Sequence, residues 1–414
     1  MERINVKSTF VSKVALLFLG INLVAGFLWV FNIHTLRLLL LAFSGFSLFV
    51  VTIFHAKNKL TFHVIFYLCI LFFFSFLINF SLTDYQLFLI DISAIGIILS
   101  VFSLTGLSNK LVKDGIILMI ILTILYFAYT LPFMDLSIIR SGIYNRAEAF
   151  NSYGYETSSS GISKGYIIYS TQQLAVSCLI TSLLLLPVIY KQVNKSFTIA
   201  FVIIAFIFII TFSVFYQKRQ QFVELILCVI LSFLFYRKLL PGLIPKNKLF
   251  NITVLVLFII LIFSSNIVNN IFIRFSETFS NLKEFDRLEE SIKVFSDFNT
   301  VNWIFGKGFG YAAPDTPGGI ILHIGYSNLL MKGGLIVLLF YLFQTFRNIR
   351  YCKKKAKQYP EFNIGIAISI FSLIQLIYSP GYHWFVPSLI MGLAMFSRYP
   401  LKTFIYDKYS NSSS

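Results

Sequence analysis

The stretch FTIAFVIIAFIFIITFSVF, Phe197 to Phe215, carries no charge and nothing more polar than threonine or serine. A helix of that composition has no face to offer water, and ~20 apolar helical residues match the hydrocarbon thickness of a bilayer. It reads as a membrane span. Comparable runs recur at Val14–Phe31, Leu36–Phe54, Phe62–Phe80, Tyr85–Thr105, Gly115–Phe133, Tyr166–Tyr190, Phe222–Tyr236, Leu249–Ser265, Ile320–Phe343, Ile364–Tyr378 and Phe385–Phe396. About twelve spans are expected, each long enough or nearly so for a helix to cross. Composition agrees, because 57% hydrophobic residues, 12% charged residues and a mean hydropathy of +0.81 lie far outside the range of soluble domains. The expected fold class is an all-α polytopic membrane protein, with residues 1–414 forming a single integral membrane domain.

Cytoplasmic loops retain lysine and arginine, so the basic residues orient the chain. With the N-terminus inside, alternate connections hold Arg3, Lys7 and Lys13, then Lys57 and Lys59, Lys110 and Lys113, Lys191 and Lys195, and Arg237 to Lys248. The last two inside groups are Arg347 to Lys357 and Arg398 to Lys408, so most of the 34 basic residues fall on one side. Both termini are expected in the cytoplasm. The net charge of +17 then reflects topology and attraction to anionic headgroups, and no nucleic-acid partner is expected. Of the four cysteines, Cys69, Cys178 and Cys228 fall in apolar runs and Cys352 in a lysine-rich loop, which gives no disulfide framework. No CxxC or HExxH motif supports a metal site, and no cofactor is expected.

Two connections on the outer side are long enough to hold substrate or structure. The first, residues 135–165, contains Arg140, Tyr144 and Arg146 among serines and glycines, and the two arginines are candidate substrate-binding groups. The second, residues 266–319, places Phe275, Phe279, Leu282, Phe285, Leu288, Ile292, Phe295 and Phe298 at spacings of three and four, the pattern of an amphipathic helix. Such a helix lies on the membrane surface or caps the bundle. On its charged face Glu284, Arg287 and Glu290 stand three apart, so the plain account of Arg287 is an ion pair at the surface.

Between Phe215 and Phe222 only YQKRQQ joins two spans, on the outer side. Lys218 and Arg219 therefore oppose the charge bias in a turn too short to leave the bundle. Cations held there suit an anion, and a lipid-linked phosphate is the one available at that depth; snorkelling to the headgroups is the simpler alternative. His323, in HIGYSNLLMKGGL, stands where the second long loop ends and the next span starts, and an imidazole can take a proton near neutrality. Tyr326 and Asn328 follow it on the same segment. Gly306, Gly308 and Gly310 form a GxGxG with no strand before it, which is no nucleotide fingerprint. They read as bends that return the loop to the bundle.

Four elements in this order resemble the O-antigen polymerase and O-antigen ligase superfamily: the outer turn YQKRQQFVEL, the arginine opening DRLEESIKVF, the turn FGKGFG, and the histidine ahead of a glycine pair in HIGYSNLLMKGGL. The motif-bearing part runs from about Phe215 to Phe343, and the span layout covers most of the chain. The resemblance implies a GT-C-like glycosyltransferase that works outside the cytoplasm, in the bacterial inner membrane, on glycans carried by undecaprenyl diphosphate. By position it implies Arg219 and Arg287 as the groups on the donor diphosphate and His323 as the catalytic group at the acceptor hydroxyl; Lys218, Arg140, Arg146, Tyr326 and Asn328 are the candidate substrate-binding residues beside them. Ile324 stands where many members have asparagine, and Lys218 where small residues are common. Glu148, Glu156, Glu284 and Asp315 compete with His323 for the role of base. The expected activity is polymerisation of lipid-linked repeat units into O-antigen or a related surface polysaccharide, a step in lipopolysaccharide biosynthesis. Ligation to a lipid A core and lipid-glycan export are the alternatives. The expected partners are the lipid-linked donor and acceptor, membrane lipids and a chain-length regulator protein.

Overall fold

A computed structural model of the chain defines residues 14, 17–31, 33–55, 85, 88–91, 93, 109–130, 164–192, 195–215, 219–240, 286–311 and 324–378. The elements in these residues are helices, with no strand among them. In chain order they are α1 (Leu17–Phe27), α2 (His34–His55), α3 (Asn109–Thr130), α4 (Lys164–Leu184), α5 (Leu186–Gln192), α6 (Lys195–Phe215) and α7 (Arg219–Phe235). There follow α8 (Asp286–Ser296), α9 (Thr300–Phe305), α10 (Gly325–Ala356) and α11 (Phe362–Tyr378). Among the described residues α10, with 32 residues, is the helix long and apolar enough to cross a membrane, and the others that pass for apolar are shorter. The expected spans Phe62–Phe80, Leu249–Ser265 and Phe385–Phe396 lie outside the described residues, as does most of Tyr85–Thr105.

The chain divides into two compact units, Met1–Met119 with Glu290–Ser414, and Ile120–Glu289. In the first unit Asn22 donates to Ser44 Oγ at 2.9 Å and to Ser93 Oγ at 2.6 Å. Close approach is possible because residue 45 is glycine: a Cβ there would lie 2.4 Å from the Ser93 Cα. Small residues that let helix backbones meet, with a polar side chain bridging them, are how helices associate where apolar burial alone does not discriminate. Further along, α10 and α11 pack together, joined by the Tyr341–Ser372 hydroxyl pair and by Asn348 Nδ2 donating to Ser369 Oγ at 3.1 Å.

In the second unit α4, α6 and α7 pack on one another. The expected span Tyr166–Tyr190 is interrupted: Pro187 cannot donate and its ring crowds the preceding turn, so the helix breaks at Leu185. The Val188 N–H turns to Leu185 O at 2.9 Å, and the Leu184 carbonyl is taken instead by the buried Tyr236 hydroxyl at 2.7 Å. The carbonyl that loses Val188 at the break thereby keeps a donor.

One difference from the sequence expectation concerns length. Helix α10 runs past Phe343 to Ala356, so Arg347 to Lys355 ride on a continuous helix rather than a loop. Lys353, Lys354 and Lys355 sit in its last turn, where the helix dipole favours cations. The side chain of Cys352 is fully enclosed there, and burial pushes its thiol up to about 12. Since thiolate is the reacting form, a variant that keeps Cys352 as the sole cysteine is expected to react with maleimide at neutral pH at least ~10-fold more slowly when folded than in detergent-denatured form. Of the expected amphipathic segment, residues 275–285 lie outside the described residues and the remainder holds α8; a short helix that the spacing did not suggest, α9, follows it.

Candidate functional site

In the first unit the site begins with α8. Ser291 and Val294 are its buried side, Ile292, Lys293 and Ser296 its exposed side. Ser291 Oγ meets Ser327 Oγ of α10 at 3.1 Å, and Val294 joins Tyr311 and Met331 in a small apolar core that Phe295 and Phe298 extend. This face of α8 packs on α10 and on Tyr311. Asn299 ends the intervening turn by accepting from the Asn302 N–H at 2.8 Å, which starts α9. Trp303 then stacks on Phe295 with centroids 5.4 Å apart, and Lys307 Nζ lies 5.7 Å from the ring centres of both Phe298 and Tyr311. Burial, and secondarily the charge of Asp297, raises the Tyr311 phenol above its ordinary value.

The glycine turn follows. Gly306, Gly308 and Gly310 all have positive φ, at 78°, 95° and 73°, and the turn lies against a break in α10 where Gly334 has φ 64° and ψ −169°. The Lys307 N–H donates to Met331 O at 2.7 Å and the Gly308 N–H to Lys332 O at 3.2 Å. The loop thus hydrogen-bonds carbonyls beside the break, as an interrupted helix in an apolar setting requires. The three glycines act as the bends that the sequence reading assigned to them.

A buried ion pair ties this arrangement together. Lys332 Nζ lies 2.8 Å from Asp91 Oδ2 and also donates to Tyr311 O at 2.9 Å, while the Gly310 N–H donates to the same Asp91 oxygen at 2.7 Å. Both side chains are out of reach of solvent, at 1% and 0% exposure. In the sequence the pair shows only as one acid within the apolar run Tyr85–Thr105 and one lysine within Ile320–Phe343, isolated charges of the kind that mark a functional or paired position in an apolar run.

In the second unit Arg219 is the first residue of α7. Directly after it, Gln221 Oε1 accepts from Gln172 Nε2 at 2.8 Å, and Gln220 Oε1 from Gln173 Nε2 at 3.1 Å. Gln220 Nε2 in turn donates to Glu224 Oε1 at 2.8 Å. The doublets Gln172–Gln173, inside the run Tyr166–Tyr190, and Gln220–Gln221, directly before the run Phe222–Tyr236, were the available sequence signal for this pairing.

Of the residues singled out by sequence, Arg219 and Arg287 are placed by their backbone alone, at the head of α7 and in the first turn of α8. His323, Lys218, Arg140 and Arg146 lie outside the described residues. Tyr326 donates its hydroxyl proton to Leu373 O at 2.7 Å, a tether between α10 and α11. Asn328 is fully buried, with its backbone N–H on Ile324 O at 3.0 Å. Among the described residues no group of three or more His, Cys, Asp or Glu gathers around a point. No protein-family model matches the chain, and no curated protein matches it.

Proposed function

We propose that the chain is a multi-pass glycosyltransferase of about twelve spans that polymerises undecaprenyl-diphosphate-linked repeat units on the outer side of the bacterial inner membrane. Exposed apolar faces support the membrane setting: Leu39, Phe43 and Phe46 on α2 and Ile203 and Ile207 on α6 are each more than half exposed, surfaces suited to lipid rather than water. The observation that carries the reading is that three of the four ordered sequence elements are parts of one packed assembly. Helix α8, the glycine turn and the segment Gly325–Gly334 share the Val294–Tyr311–Met331 core, the Ser291–Ser327 contact and the Asp91–Lys332 pair. A loop built this firmly against a broken helix is suited to hold reacting groups at fixed places.

In the proposed reaction an acceptor hydroxyl oxygen forms a bond to the anomeric carbon of the donor as the bond from that carbon to the diphosphate oxygen breaks. The lipid diphosphate leaves with the electron pair, and the hydroxyl proton passes to His323. Arg219 and Arg287 would stabilise the charge growing on the leaving group. Purified protein in nanodiscs, given only the lipid-diphosphate-linked repeat unit of its host, is expected to yield a ladder of products. Arg219→Ala and Arg287→Ala are expected to abolish the ladder while both variants still insert. Loss of His323 is expected to cost ~100- to 10,000-fold, leaving residual turnover. Normal ladders from both arginine variants would overturn the assignment. Products only after addition of a lipid A core would make the protein a ligase.

One observation favours a second reading. A discontinuous helix beside a buried, charged pair, as at Gly334 and Asp91–Lys332, is also how many transporters build a central site. Export of lipid-linked glycan would move the substrate across a sealed vesicle and form no glycosidic bond.

A further inference from the structure

The first turn of a helix is its weakest part, because its leading N–H groups have no intrahelical partner. Arg219 opens α7, so fraying of that turn would displace it. The two residues that follow are each bonded across to α4, by Gln172–Gln221 at 2.8 Å and Gln173–Gln220 at 3.1 Å. Glu224, one turn further on and fully buried, sets the direction of the second bridge. Glu224 Oε1 accepts from Gln220 Nε2 at 2.8 Å, which leaves the Gln220 Oε1 to accept from the Gln173 amide. The result is a chain of donors pointing one way, Gln173 to Gln220 to Glu224. Leucines would fill the same space between apolar helices without the cost of burying polar groups, so paired amides here specify a register and an angle rather than mere contact.

We infer that Gln172, Gln173 and Glu224 are positioning residues that hold the first turn of α7, and with it Arg219, at the donor phosphates; this rests on the diphosphate role proposed above for Arg219. The full chain in nanodiscs is titrated with undecaprenyl diphosphate. The variants are Gln173→Glu and the double variant Gln173→Glu/Glu224→Gln, each with and without Arg219→Ala. Gln173→Glu sets an acceptor against the Gln220 Oε1 and is expected to weaken binding about 10-fold, equivalent to ~1.4 kcal/mol. The double variant reverses every donor in the chain at unchanged net charge, and is expected to restore affinity to within about twofold of wild type. In the Arg219→Ala background Gln173→Glu is expected to change nothing further, since the residue it positions is gone. Wild-type binding by Gln173→Glu, or the same loss with and without Arg219, would overturn the inference. Should Gln173→Glu fail to insert, Gln173→Met takes its place in the same cycle, with the same two outcomes. Wild-type binding by Arg219→Ala itself would sink the diphosphate role. Weak binding by Arg219→Ala beside normal binding by the glutamine variants would sink the positioning role alone.

Discussion

Lys332→Met is expected to lower the stability of the folded protein by roughly 3–5 kcal/mol, the range for removing one partner of a buried ion pair. The ammonium of Lys332 serves two acceptors, Asp91 Oδ2 at 2.8 Å and Tyr311 O at 2.9 Å, and its loss leaves a carboxylate with 0% exposure facing a methyl group. The Gly310 N–H, 2.7 Å from Asp91, would remain as a partner, but a neutral donor does not replace a cation. The double variant Lys332→Met/Asp91→Asn separates charge from shape. Its amide oxygen can still accept from Gly310 while no charge stays buried, so much of the lost stability should return. Thermal unfolding of both variants in the same detergent checks this. A single variant as stable as wild type would mean that the pair is not buried together, and a double variant no better than the single would mean that the penalty is lost packing rather than an orphaned charge.

The parts of this structure that were legible in the sequence are those set by local composition. Charge-free runs such as Phe197–Phe215 specify helices by themselves, and α6 and α11 begin within two residues of the expected spans. The three glycines at 306, 308 and 310 were legible as bends because each needs a positive φ that other residues resist. What escaped was pairing between distant segments. Asp91 and Lys332 are single charges in separate apolar runs, and no periodicity links them. The same holds for the two glutamine doublets, whose match depends on how α4 and α7 are set against each other. The interruption at Leu185 was locally encoded by Pro187 but hidden within a run whose hydropathy never falls.

Gly334→Ala is expected to undo the junction between the loop and α10 more thoroughly than any other single-methyl addition here. Gly334 has φ 64° and ψ −169°, a region of backbone space that essentially only glycine occupies, and forcing alanine into it costs about 1–3 kcal/mol before any contact is counted. A Cβ would then stand 2.2 Å from the Ile304 carbonyl oxygen and 2.6 Å from the Gly306 nitrogen, both backbone atoms that cannot swing aside. Neither relief is mild: α10 must straighten through the break, or α9 and the glycine turn must lift away. Either movement breaks the Lys307–Met331 and Gly308–Lys332 bonds. Gly306→Ala meets backbone at 2.7 Å with φ 78° and should follow in severity, whereas at Gly333 the added methyl meets only the Val337 side chain, at 2.3 Å. The expected order of damage is Gly334→Ala, Gly306→Ala, Gly333→Ala. Hydrogen exchange at the Lys307 and Gly308 amides reads it directly: slow in the wild type, fast in Gly334→Ala, intermediate in Gly306→Ala, and near wild type in Gly333→Ala. Retained protection in Gly334→Ala would mean that the helix is not broken at that residue. In that case the Lys307 and Gly308 bonds survive together with the Asp91–Lys332 pair, and Lys332→Met becomes the variant that loosens the loop.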